Sequence, residues 1–284
     1  MHPLTLELPK PAVPVGDRPL IAHVAAACRR AGAKSLVANA HHGHEQLASI
    51  ISDLQLDIQL VVEPEIRGTA GGVAGARPLF GRGPVLIWNA DILTEAPVEQ
   101  LLTIAAERDA QVLAVSPRAR GEGSVGLDAD GGVVRLRGKV FGEEKSGGDY
   151  IGVMALGPGV LAALPERGCL AGDVALPSLA AGRRVWTVPS PAPWNDLGDL
   201  AAYVEANFEW LARTGRAVWQ APNASLAAGV ALEQSLLGAG ARVTGPGTLR
   251  RVIAWPGAPV VAPLEQAVVL TSGRVVPFDV GAEN

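Results

Sequence analysis

Two aspartates, one lysine and one glycine-rich turn stand where phosphate or metal chemistry could be done. Asp91 ends the run Val85-Leu86-Ile87-Trp88-Asn89-Ala90-Asp91, in which four apolar residues lead straight into an asparagine and a carboxylate. A continuous apolar run of that length predicts a buried strand of a parallel sheet. Open α/β sheets bind ligands just beyond the carboxyl ends of such strands, so Asp91 stands where a metal or a ribose hydroxyl would be met. An aspartate that caps the next helix fits the same residue. Asp196, in Trp194-Asn195-Asp196-Leu197-Gly198, is a second carboxylate at a handover from strand to helix. Lys10 lies between Pro9 and Pro11, which with Pro14 forbid regular helix and hold the segment extended. An ammonium fixed in this way suits a phosphate, and a solvated lysine in a stiff loop fits equally. Gly68-Thr69-Ala70-Gly71-Gly72 opens a helix after a strand, where missing side chains let a ligand approach N–H groups at the helix's positive end. His41, His42 and His44 invite a metal reading, but their spacing does not share a helix face and no acidic or thiol partner follows at ligand distance. A loop role is expected for them.

The elements that must position these residues alternate. Helical spacing of Leu20, Ile21, Val24, Ala27, Cys28 and Ala31 is stopped by Gly32. A strand over 35–40, a helix to about Leu54, a strand over 57–62, a helix to about Leu79, the strand ending at Asn89, a helix over 98–108 and a strand over 111–116 follow. This order predicts a right-handed doubly wound sheet. Residues 118–148 are rich in Gly and charge, with an antiparallel pattern around 126–128 and 133–136. A strand over 150–156, two helical stretches (the second over 173–181), a strand over 184–188 and an amphipathic helix over 199–213 complete this part. From about Pro222, apolar residues alternate with Gly, Ala and Pro. Val243 and Leu249 suggest a six-residue period, although Val260 breaks the count, so residues 222–278 read as a short, irregular β-solenoid.

With 284 residues, 48% of them hydrophobic and 18% charged, the chain can bury a sizeable core. A net charge of −4 supplies no basic field for nucleic acid. Two cysteines in apolar segments argue against a disulfide framework and for a reducing cytoplasm. No secretory signal or run of transmembrane length appears.

In their order, Pro3-Leu4-Thr5…Pro9-Lys10-Pro11, Gly68-Thr69-Ala70-Gly71-Gly72, Asn89-Ala90-Asp91, Tyr150-Ile151-Gly152-Val153 and Trp194-Asn195-Asp196-Leu197-Gly198 resemble the sugar-phosphate nucleotidyltransferases, the NDP-sugar pyrophosphorylase family. The resemblance spans residues 3 to about 210, and the tail is similar to the left-handed, hexapeptide-type β-helix that many members carry. It implies a nucleotidyltransferase domain over 1–215, with a doubly wound Rossmann-like mixed sheet, and a β-solenoid tail over 222–284. It also implies transfer of a nucleoside monophosphate from a nucleoside triphosphate to a sugar 1-phosphate, of the mannose-1-phosphate guanylyltransferase or sugar-1-phosphate uridylyltransferase kind. Asp91 and Asp196 would hold Mg²⁺, and Lys10 would contact phosphate. Gly68, Thr69, Ala70 and Gly71 would read the base, and Gly152 would lie on the sugar side. Asn89 matches a variable position. Lys139 would meet the sugar phosphate, although its flanks match poorly.

One departure from the family stands out. The strand and the A-G-x-G-T-R-L loop that precede Pro-Leu-Thr in the family, and grip its triphosphate, are absent, since only Met1 and His2 precede Pro3. Losing a central strand leaves backbone unpaired, and the expectation is a start placed too late. A catalytically impaired sugar-nucleotide binding or regulatory protein is the competing expectation. An acyltransferase built on the tail lacks its histidine base, because all five histidines lie at or before His44. A homo-oligomer is open.

Overall fold

The computed structural model describes residues 1–279, so the last five residues of the expected 222–284 tail lie outside the described residues. The chain forms two compact units. One is Val24–Trp194; the other joins Met1–His23 to Asn195–Asn284. The division expected from motif order, 1–215 and 222–284, follows composition, whereas the spatial grouping places the N-terminal segment and residues 195–215 with the tail.

In chain order the helix α1 (Leu20–Arg30) leads to β1 (Val37–Ala40), α2 (His44–Asp53), β2 (Gln59–Val62), α3 (Gly68–Ala76), β3 (Val85–Trp88), β4 (Ile92–Thr94), α4 (Val98–Arg108) and β5 (Gln111–Arg118). Three short strands follow, β6 (Val125–Leu127), β7 (Val133–Leu136) and β8 (Lys139–Val140). After them come β9 (Ser146–Leu156), α5 (Pro158–Ala162), a π-helical turn Leu170–Ala175 running into α6 (Leu176–Ala180), and β10 (Trp186–Pro189).

β9 is the centre of a mixed sheet: it pairs antiparallel with β3, β5 and β6, and β10 pairs parallel with β5. Alternation puts Ile151, Val153 and Ala155 under α4 with Leu101, Ala105, Val112 and Ala114, and Met154 and Leu156 on the opposite face with Leu113, Val115 and Ala70 of α3. Burial on both faces is why this strand reads as an unbroken apolar run. The expected doubly wound sheet needs a correction. β1 and β2 pair in parallel, but only with each other, and among the described residues no strand joins β1 to β3. β3 is therefore an edge strand, half-buried along its whole length, although its apolar sequence suits an interior position.

In the other unit the proline-rich start is also corrected. It is not extended throughout but makes two 3₁₀ turns, Leu4–Leu6 and Lys10–Ala12, because a proline is tolerated in the first turn, where its missing N–H has no helical partner. Pro14 and Val15 then pair antiparallel with Pro19 and Arg18 around Gly16, where a Cβ would lie 2.1 Å from the Trp210 ring. Trp210 lies on α7 (Leu200–Arg213), whose N-terminus is capped by Asp199 accepting from the Ala202 N–H. Asn207 of α7 accepts from the Gly16 N–H at 2.9 Å.

Beyond α7 the strands run parallel except the last, Val275–Pro277, which pairs antiparallel with Leu264–Val269. Trp219 pairs with Leu236 and Leu236 with Ile253; Leu226 pairs with Val243 and Val243 with Val260. Each of these turns takes 17 residues, and the next, in which Leu249 pairs with Leu264, takes 15. Val260 broke the sequence count because a 17-residue turn is one short of three sixes. Val243 and Leu249 are both buried, as the six-residue spacing implied. Among the described residues no helix is long and apolar enough to cross a membrane.

The stack reaches α7 through Trp255, whose indole N–H donates to the Tyr203 hydroxyl at 2.9 Å, with both side chains fully buried. Tyr203→Phe would leave that N–H without its acceptor and should cost about 1–3 kcal/mol in a urea titration. A loss within error of zero would show that the bond is immaterial to this unit.

Candidate functional site

The turn after β3 is fixed from three sides. The Asn89 N–H donates to the Gly152 carbonyl at 2.9 Å, the Ile92 N–H to the Asn89 carbonyl at 3.1 Å, and the Trp88 indole N–H to the Ile92 carbonyl at 3.1 Å. Gly152 has φ +74°, and a Cβ there would stand 2.5 Å from Ile92 Cγ1 and 3.2 Å from Asn89 Nδ2. The register of β9 against β5 shifts between Tyr150 and Met154, across this same glycine. Such a bulge re-aims a strand locally. Asn89 and Gly152 are thereby brought together, with Asp91 two residues on, beyond the carboxyl end of β3. Asp91 is half-buried and precedes β4. It is not a helix cap: α4 begins after Pro97, with no side-chain cap bond.

The glycine-rich turn is held by another part of its own unit. The Ala70 N–H donates to the Gly168 carbonyl at 2.9 Å, the Gly168 N–H to the Arg67 carbonyl at 2.8 Å, and the Leu170 N–H to the Thr69 hydroxyl at 3.1 Å. A Cβ on Gly68 would lie 2.4 Å from the Gly168 oxygen, and one on Gly71 2.4 Å from the Glu166 oxygen. These glycines have a packing role within the protein, which sequence reasoning assigned only to a ligand.

Sequence reasoning also passed over two neighbours. Glu63, 7% exposed at the end of β2, accepts from Asn39 Nδ2 at 3.0 Å and stands where a Cβ on Gly72 would meet it at 2.6 Å. Its signal was a Glu-Pro pair closing a strand just before a glycine-rich turn. Cys169, a free thiol, receives Arg137 Nη2 at 3.4 Å. Burial pushes this thiol up, but the Gly172 and Ala171 N–H groups, the Arg137 guanidinium and the Thr69 hydroxyl outweigh it and hold it below the ordinary value. Desolvation pushes the Tyr150 phenol well up, helped by charge on Cys169, and its hydroxyl has no hydrogen-bond partner.

His41 Nδ1 meets the Glu63 carbonyl at 2.7 Å and His44 Nδ1 the His41 carbonyl at 3.0 Å, the loop role expected for these rings. Lys139 is exposed on β8, at the outer edge of the sheet. Lys10 and Asp196 belong to the other unit. Lys10 opens a 3₁₀ turn, half-buried, and Asp196 is exposed, its carbonyl accepting from the Gly198 N–H at 2.7 Å. The following helix takes its cap from Asp199, so Asp196 has no capping role there.

Mg²⁺ is bound by one or two carboxylates and completes its shell with substrate phosphates and water. Among the described residues, no group of three or more His, Cys, Asp or Glu could hold a metal by itself.

The chain is similar to mannose-1-phosphate guanylyltransferase 1 of Arabidopsis thaliana, 26% identical over 218 residues that cover 72% of this chain and 59% of the relative. It is similar to a mannose-1-phosphate guanyltransferase of Pichia angusta, 25% identical over 70% of this chain and 57% of the relative. The chain thus spans less than two thirds of the length of these curated relatives. The crystal structure of HddC from Yersinia pseudotuberculosis complexed with GMP-PN shares the fold, with a TM-score of 0.61 and 17% identity over 72% of this chain and 90% of that one. A family model for nucleotidyl transferases matches residues 1–213, and the chain belongs to that family.

Proposed function

We propose that the chain transfers a nucleoside monophosphate from a nucleoside triphosphate to a sugar 1-phosphate, with GTP and mannose 1-phosphate as the favoured pair. The observation that carries this reading is the turn at Asn89–Asp91, which Gly152 and Trp88 fix beyond the carboxyl end of β3 and which presents a carboxylate with no helix to cap. The names of the relatives support the substrate pair. A phosphate oxygen of the sugar 1-phosphate attacks the α-phosphorus. The new O–P bond forms as the bond from the α-phosphorus to the α,β-bridging oxygen breaks, and pyrophosphate leaves with that electron pair. The attacking phosphate is already ionised at neutral pH, so positioning and charge neutralisation are the protein's main tasks.

Lys10 neutralises phosphate charge, Gly68, Thr69, Ala70 and Gly71 meet the base, and Gly152 and Asn89 lie on the sugar side. Members of this family generally use a divalent metal. Asp91 and Asp196 are the residues that would hold Mg²⁺, which supplies electrostatic stabilisation to the phosphates when bound. The 17-residue parallel stack supports reading the tail as a left-handed β-helix. A second reading, an impaired sugar-nucleotide binding or regulatory protein, is favoured by the open edge of β3, where a further strand would complete the sheet.

Pyrophosphate release from GTP and mannose 1-phosphate with Mg²⁺, compared between this chain and one extended through upstream in-frame codons, separates the two. Release from either form supports transfer; binding without release from both supports the second reading. Asp91→Asn and Asp196→Asn should each lower kcat by about 100-fold or more with the melting temperature unchanged, since a metal clamp is worth several kcal/mol. Full turnover in either variant would remove it from the metal set. Lys10→Ala should raise the KM for GTP about tenfold through a lost charged contact, and an unchanged KM would return Lys10 to the solvated-loop reading. Iodoacetamide should label Cys169 ahead of buried Cys28, whose thiol burial pushes up. Bound GTP should slow that labelling through the Thr69 contact, and equal rates with and without nucleotide would place the base elsewhere.

A further inference from the structure

At the opposite end of the sheet from Asn89 and Asp91, a cleft of about 370 Å³ opens between the end of α4, the start of β5 and the start of β10. Its place follows from register. Gln111 pairs with Leu156 and Trp186 with Val112, whereas Trp88 pairs with Val153 and Asn89 bonds to Gly152. The two ends are roughly 13 Å apart along β9, at ~3.3 Å per residue.

Two guanidiniums stack on Trp186, Arg108 at 3.8 Å and Arg184 at 4.1 Å from its ring centroid. Arg184 is neutralised by Asp128 and, at 3.7 Å, by Asp130. Arg108 and Arg183 have no carboxylate partner among the described residues; Arg183 has only the Ser178 hydroxyl at 3.4 Å. The acid on the rim, Asp109, accepts from the Gly159 N–H at 2.7 Å, at the start of α5. The cleft therefore carries two guanidiniums with no carboxylate bound to them among the described residues, held in place by an indole and a hydroxyl, and one carboxylate, Asp109, on the same rim. At the inner wall Gln111 is 3% exposed. Its amide nitrogen is engaged by Met154 Sδ and the Leu170 carbonyl, and its Oε1 has no hydrogen-bond partner. A buried acceptor left unsatisfied is costly, and a ligand hydroxyl reaching this wall would satisfy it.

We propose that this cleft is a second ligand site, taking a small phosphate monoester whose body carries hydroxyl groups. Arginine forks favour the doubly charged phosphate, and the volume lies within the range of small-molecule pockets. Two guanidiniums already stack on the indole, where a base would compete with them.

Calorimetric titration of the 284-residue chain with glucose 6-phosphate and with inorganic phosphate tests the site. Both probes should bind at millimolar concentration or below, and saturating GTP should displace neither. Arg183→Gln and Arg108→Gln should each weaken both probes by about tenfold, the worth of one charged contact, while pyrophosphate release without probe stays unchanged. Gln111→Leu should weaken glucose 6-phosphate and leave inorganic phosphate alone. Displacement by GTP would assign the phosphate to the transfer site, and indifference to both arginine changes would remove the cleft as a site. Because GTP competition is read separately from turnover, failure here leaves the transfer reading standing.

Discussion

From Ile151 to Leu156 the backbone of β9 lies in a sheet buried on both faces, so each of its N–H and C=O groups must find a strand partner. β3 and β5 supply those partners, and β6 pairs with the earlier residues Ser146–Gly148; all three are antiparallel to it. Such a strand cannot slip by one residue without turning its α4 side toward α3. The one place where the register yields is Gly152, in a backbone conformation that costs a side-chain-bearing residue and suits glycine. The turn bearing Asn89 and Asp91 is anchored at that point of yielding. The rigidity of the strand and the geometry of the candidate site are thus one constraint seen from two sides.

A related economy governs the glycine-rich turn. Gly68 and Gly71 lie too close to the carbonyls of Gly168 and Glu166 for any side chain, and the same absence leaves N–H groups at the start of α3 accessible. Segment 166–170 and the turn therefore form one assembly, tied by the Ala70, Gly168 and Leu170 N–H groups. Cys169 sits inside this assembly, where neighbouring N–H groups and Arg137 favour its thiolate. Chemistry at that sulfur would be felt at the turn.

The apolar run Val85–Trp88, the alternation along 111–116 and 150–156, and the spacing of 199–213 were legible because period and length distinguish strand from helix. Strand direction was not legible: a run of Val and Ile carries no sign of whether its neighbour is parallel, and β9 proved antiparallel to its partners. The proline-rich start was misjudged as extended because prolines that forbid a long helix still permit a single 3₁₀ turn. For the candidate site, Asp91 and Asp196 were singled out in sequence, and the local surroundings of Asp91 removed its capping alternative. Glu63 was missed because a lone glutamate at a strand end looks solvated until Asn39 is seen beside it.

The parallel stack has a consequence for how such a chain can change over time. Because Leu226, Val243 and Val260 occupy equivalent places on successive turns, the stack is indifferent to how many turns it has. Gaining or losing a whole turn keeps every buried residue inside, whereas a single added residue rotates all that follows outward. Length variation among descendants of this segment should therefore come in whole circuits, of 17 residues or, as from Leu249 to Leu264, of 15.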